Sequence, residues 1–183
     1  MWARRHLIFI ALVLLTVVAH PCVLFAQDGG FTQSDEPEPA PRFHARTLSG
    51  ETYTNASVKG KVVLLEFWTT WCPYCKDEEA LVDAVDHEFS GKGLLVLAID
   101  VGESKQTVQK YLEQHPRSCR IVLMRDTNLA AMYQANSYPI YVVIDREGNI
   151  AAEQRGAGGE KSLRGLLRRA GVGKDDEVLE KDQ

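Results

Sequence analysis

Residues Val62–Glu79 read VVLLEFWTTWCPYCKDEE. The stretch begins with an apolar run, Val62-Val63-Leu64-Leu65, that has no polar residue at alternate positions. A strand wetted on one face would alternate, so this one is expected at the centre of a sheet covered on both sides. Thr69 and Thr70 carry the chain off the strand, and Cys72-Pro73-Tyr74-Cys75 follows. Proline suits the first position of a helix, where its missing N–H costs nothing. Cys72 is therefore expected at or just before a helix N-terminus. Cys75, three residues on, falls on the same side of that turn, close enough to bond. Unpaired N–H groups and the dipole at a helix start favour a thiolate over a thiol.

An easily ionised thiol with a second one a turn away suits disulfide exchange. The first sulfur attacks a substrate disulfide, and the second resolves the mixed disulfide. Two other readings of the pair stand beside this one. Structural zinc would need a second ligand pair, and the chain has no second CxxC. A purely structural bridge is possible, but so short a loop stabilises little through loop entropy. The five His are scattered, so the sequence calls for no metal and no cofactor.

The string Glu66–Lys76, EFWTTWCPYCK, resembles the active-site segment of thioredoxin-fold proteins. The layout from about Pro41 to Val172 is similar to the TlpA/ResA group of exported thiol–disulfide oxidoreductases. The resemblance implies a reductase fed by a membrane thiol-electron transporter. Its clients would be cysteines of cytochrome c apoproteins or copper-site assembly proteins. The alternatives are a disulfide-forming oxidase or isomerase, and a thioredoxin-fold chaperone holding Cu(I) on Cys72 and Cys75. The dipeptide Pro73-Tyr74 also matches the CPYC of glutaredoxins, which raises a glutathione-using enzyme. Trp71, the export signal and the insertion described below argue against it.

The chain has 183 residues, 45% of them hydrophobic, enough for one domain with a core. Its formal net charge is −4, which argues against nucleic acid as a partner. Protein thiols and disulfides are the expected partners, and a monomer the expected state. Residues 1–26 carry Arg4 and Arg5, no acid, and an apolar run from Leu7 to Ala19. That run is shorter than the ~20 residues of a spanning helix, so a signal peptide is expected, cleaved after Ala26. An uncleaved anchor is the alternative. Both place the domain outside the cytoplasm, in a periplasmic or outward-facing, membrane-tethered position. Cys22 lies within this segment. Residues 27–41 read as a disordered acidic linker, 42–173 as the thioredoxin-like domain, and 174–183 as a charged tail.

Within the domain, Phe43–Leu48 and Glu51–Thr54 flank Ser49-Gly50 and predict a hairpin. After the cysteines, Leu81, Val85 and Phe89 predict the inner stripe of a helix ended by Gly91 and Gly93. Leu94–Ile99 predicts a second buried strand. Ser104 caps a helix over Lys105–Gln114, stopped by His115-Pro116. A strand at Ile121–Met124 and a helix at Leu129–Tyr133 form the insertion the resemblance implies. Strands at Tyr141–Asp145 and Ile150–Gln154 and a helix at Glu160–Ala170 close the domain. The expected fold is α/β and thioredoxin-like, a central mixed sheet flanked by helices.

Glu66 interrupts the apolar strand. Burying a lone carboxylate costs several kcal/mol, so Glu66 is expected to hold its proton more tightly than usual. Placed under the second sulfur, it would accept the Cys75 proton. Thioredoxins carry an Asp at the matching position, whereas TlpA-like proteins often carry a neutral residue. The other reading is a strand-end acid that reaches water. Glu78 lies three past Cys75; the resemblance makes it a tuner of the cysteines, and the plain reading is a solvated surface acid. Trp71, Pro73, Tyr74, Tyr138 and Pro139 are the expected substrate-facing residues. The resemblance implies a cis bond before Pro139, which only proline tolerates cheaply. It would leave the Tyr138 backbone free for an added strand. Where the family continues with Thr, this chain has Ile140. Trp68 reads as core, and Cys119 as a small buried or edge residue.

Overall fold

The computed structural model describes residues 37–173. Seven strands form one sheet: β1 (His44–Thr47), β2 (Thr52–Thr54), β3 (Val62–Trp68), β4 (Leu94–Asp100), β5 (Arg120–Thr127), β6 (Ile140–Ile144) and β7 (Ile150–Arg155). Helices α1 (Pro73–Phe89), α2 (Lys105–Gln114), α3 (Leu129–Met132) and α4 (Gly159–Arg169) cover it. The strand order is β2-β1-β5-β4-β3-β6-β7. β3 runs parallel to β4 and antiparallel to β6, and β4 runs parallel to β5.

β3 is central and buried at every residue, as its unbroken apolar run requires. Val62, Leu64 and Trp68 share one core with Val82, Val85 and Phe89 of α1 and with Leu163, Leu166 and Leu167 of α4. Val63, Leu65 and Phe67 share the opposite core with Phe43, Leu129 and Tyr133. Glu66 falls, by alternation, on the α1 side between Leu64 and Trp68.

Several boundaries differ from expectation, each for a physical reason. The inner stripe of α1 runs through Cys75, Glu78, Val82, Val85, Asp86 and Phe89. Leu81 is only partly buried, because a strict spacing of four drifts off a helix of 3.6 residues per turn. The helix ends at Phe89, and a 3₁₀ turn follows before Gly93 takes a φ of 92°, a left-handed conformation that glycine enters without strain. β5 outlasts its apolar core because its far end pairs with β1, Ala45 opposite Thr127.

The folded unit also begins before residue 42. The Ala40 N–H donates to the Gly148 carbonyl (2.9 Å), and the Ile150 N–H donates to the Glu38 carbonyl (2.8 Å). The end of the expected linker thus adds a short antiparallel contact to the turn between β6 and β7. The signal segment with Cys22, the rest of the linker and the charged tail lie outside the described residues. Among the described residues no helix is long and apolar enough to cross a membrane.

Candidate active site

The first turn of α1 sits where β3 ends. Cys72 is its N-cap, in extended conformation, and Pro73 occupies the first turn. The Cys72 sulfur accepts the Cys75 N–H at 3.1 Å. The two cysteines are disulfide-bonded, with Cα atoms 5.3 Å apart. The first turn of this 17-residue helix contains no acid, so nothing there opposes a thiolate on Cys72. Cys75 is fully buried and Cys72 is 3% exposed; of the two, only Cys72 keeps any surface. Cys75 can only react inward, with the sulfur beside it.

Trp71 and Tyr74 flank that opening and are 64% and 63% exposed. Trp71 is thus mostly wet, as a substrate-facing ring should be, and its edge meets Tyr138 at 5.9 Å between centroids. Pro73 is exposed as well. The Tyr138-Pro139 bond is cis, and Pro139 is buried at the start of β6. The Pro139 carbonyl accepts the Gly156 N–H at 2.8 Å, whereas Tyr138 makes no backbone hydrogen bond among the described residues. Trp68 is core.

Glu66 is fully buried but not alone, which corrects the expectation of a lone carboxylate. Arg117 Nη2 donates to its Oε2 at 2.9 Å, and Arg117 Nε donates to Asp83 Oδ1 on α1 at 3.0 Å. The Arg117 side chain is 1% exposed and lies over the Trp68 ring. Burial pushes the Glu66 carboxyl above the ordinary range, while Arg117 pulls it back down. Among the described residues, Glu66 Oε1 has no hydrogen-bond partner.

Glu78 is buried rather than solvated. Its Oε2 accepts the Tyr141 hydroxyl at 2.8 Å, and its Oε1 accepts the backbone N–H groups of Gly158 and Gly159 at 2.9 and 2.5 Å. Glu78 therefore caps α4 from α1, and charge there favours the helix start. Cys119 is buried, and burial first of all pushes its thiol far above the usual range. Burial of this kind disfavours the thiolate, the form that attacks.

Three residues escaped the sequence reading. Arg117 follows a helix-stopping proline and reads as a loop charge. Asp100 ends β4 opposite Trp68 and is fully buried. Glu103 accepts both the N–H and the hydroxyl of Thr70, each at 2.6 Å, and donates its own N–H to Asp100 at 3.2 Å. Burial and then the Glu103 carboxylate push Asp100 up to about 8, and Glu103 is held low by that same acid and by Thr70, against its own desolvation. This pair pins the turn that leads into Cys72. Its one advance signal was an acid closing the apolar strand LLVLAID.

A family model for the AhpC/TSA family matches residues 37–153. The chain belongs to the AhpC/TSA family. This family member is 25% identical to the thiol-disulfide oxidoreductase ResA of a Bacillus cereus strain over 170 residues, covering 91% of this chain and 97% of that one. It is 28% identical to ResA of Bacillus subtilis (strain 168) over 148 residues, covering 80% and 83%. Among solved structures it is similar to a thioredoxin-family thiol:disulfide interchange protein from Chlorobium tepidum TLS. That match has a TM-score of 0.65 and 24% identity, over 74% of this chain and 97% of that one. StoA from Bacillus subtilis matches with a TM-score of 0.60 and 22% identity, over 72% and 99%. The fold is the expected thioredoxin-like one, and the protein is a thiol–disulfide oxidoreductase with Cys72–Cys75 as its redox pair.

Proposed function

We propose that this protein reduces disulfides in other proteins outside the cytoplasm, with Cys72 as nucleophile and Cys75 as resolving thiol. The observation that carries this reading is the asymmetry of the pair. Cys72 caps a helix beside exposed aromatics, whereas Cys75 is fully buried in the core that holds Leu64 and Trp68 of the strand carrying Glu66. In the reaction, the Cys72 thiolate attacks one sulfur of the substrate disulfide. A Cys72–substrate bond forms, and the first substrate thiol leaves. Glu66 accepts the Cys75 proton; the Cys75 sulfur then attacks Cys72, closing the internal disulfide and releasing the second thiol, which takes up a proton. Two electrons pass from the dithiol to the substrate.

Trp71, Pro73, Tyr74 and Tyr138 form the docking face, and the unpaired Tyr138 backbone can hydrogen-bond an extended substrate segment. Glu78, through Tyr141 and the α4 cap, holds the helix that carries the pair. The similarity to ResA supports an extracytoplasmic location, re-reduction by a membrane thiol-electron transporter, and clients whose cysteines await haem or metal.

Direction of electron flow is set by the reduction potential, which spans about −270 mV in thioredoxin to about −120 mV in DsbA. Equilibration of Cys72–Cys75 with defined thiol–disulfide buffers measures it. A value near the thioredoxin end is expected. A value near the DsbA end would overturn the reductase reading in favour of an oxidase.

A further inference from the structure

Arg117 reaches Glu66 from a segment far from the motif. It leaves α2 just past Pro116 and enters the space between β3 and α1. Its guanidinium is shared between two carboxylates on different elements, Glu66 Oε2 at 2.9 Å and Asp83 Oδ1 at 3.0 Å. Asp83 is itself steadied by the Ser118 N–H at 3.3 Å. The fork is thus fixed at two prongs, and its third nitrogen, Nη1, has no hydrogen-bond partner among the described residues, like Glu66 Oε1. A cation tied only to Glu66 could swing between both of its oxygens. One anchored on Asp83 holds a single oxygen and leaves the other uncommitted.

We propose that Arg117 is a positioning residue for the resolving step, clamping Glu66 to Asp83 so that Oε1 stays free to take the Cys75 proton. This rests on the reading of Glu66 as proton acceptor. Among the described residues, the other titratable groups acting on Glu66 or acted on by it are Asp83 and Glu79 of α1, Tyr111 of α2, Tyr141 of β6 and Cys119 before β5. None of them is a cation, so Arg117 is what offsets the burial of Glu66. Without it, Glu66 would keep its proton to higher pH and could not accept another.

The test is single-turnover reduction of the aromatic disulfide dithiobis(nitrobenzoate) by the reduced protein, as a function of pH. Its first coloured thiol leaves at attack and its second at resolution, so both rates come from one trace. In Arg117→Gln the resolution limb is expected to move up by about one pH unit or more, a loss of about tenfold below the limb. The high-pH plateau is expected to stay in place. Arg117→Lys is expected to fall between the two, and it serves as the test if the glutamine variant does not fold. In a Glu66→Gln background neither change should move the profile further.

A rate lowered equally at every pH, or a shift that persists without Glu66, would overturn the role of Arg117. If Glu66→Gln alone leaves the resolution profile unchanged, the proton-acceptor reading itself fails, which is a distinct outcome.

Discussion

Two fully buried carboxylates lie on neighbouring parallel strands. Glu66 on β3 faces Ala98 of β4, and Asp100 on β4 faces Trp68 of β3. By alternation both belong to the face that carries α1. Their burial is offset in opposite ways. Glu66 meets a guanidinium, whereas Asp100 meets a second carboxylate, Glu103, which together with burial makes Asp100 hold its proton. A cation keeps a buried acid close to ionisation. A neighbouring anion keeps it neutral. The first arrangement suits a group that must gain and lose a proton during turnover, and the second suits one that holds a turn still.

The comparison breaks most sharply at the ion pair. Removing one partner of a buried salt bridge typically costs about 3–5 kcal/mol. Arg117→Ala should cost that much in denaturant unfolding, since it leaves Glu66 and Asp83 without their shared cation. A loss under about 1 kcal/mol, the range of exposed pairs, would show that the pair is not insulated from water.

A smaller, pH-dependent effect is expected on the other side. The folded protein holds the Asp100 proton up to about 8, whereas the unfolded chain releases it near the ordinary value of 3.8. Between those limits the native state binds more protons, so stability falls as pH rises through the window. Asp100→Asn keeps a neutral group opposite Glu103 and removes that dependence. Thermal melts of the two proteins should differ least near pH 4 and separate by at least about 3 °C by pH 9, with the variant the more stable. Parallel curves would mean that the fold does not hold the Asp100 proton.

The fold was legible because each element carried its own local signal. An unbroken apolar run marked β3, Ser104 capped α2 as read, and proline and glycine marked the ends. The cysteine pair was legible for the same reason, since three residues and a proline suffice to place two sulfurs on one turn. The carboxylate partners were not. Arg117 lies 51 residues from Glu66, and Gly158 lies 80 residues from Glu78. Only the sheet order and the packing of α4 on α1 bring them together. Periodicity names the residues that face inward but not the residues that answer them. A buried acid could thus be located from the sequence, while its counter-charge could not.

The central claim is tested most directly by trapping. Reduced Cys75→Ser protein, mixed with an oxidised protein substrate, should accumulate a mixed disulfide that mass spectrometry maps to Cys72. Cys72→Ser should accumulate none. An adduct on Cys75 in the second variant, or no adduct in the first, would contradict the assignment of Cys72 as the attacking sulfur.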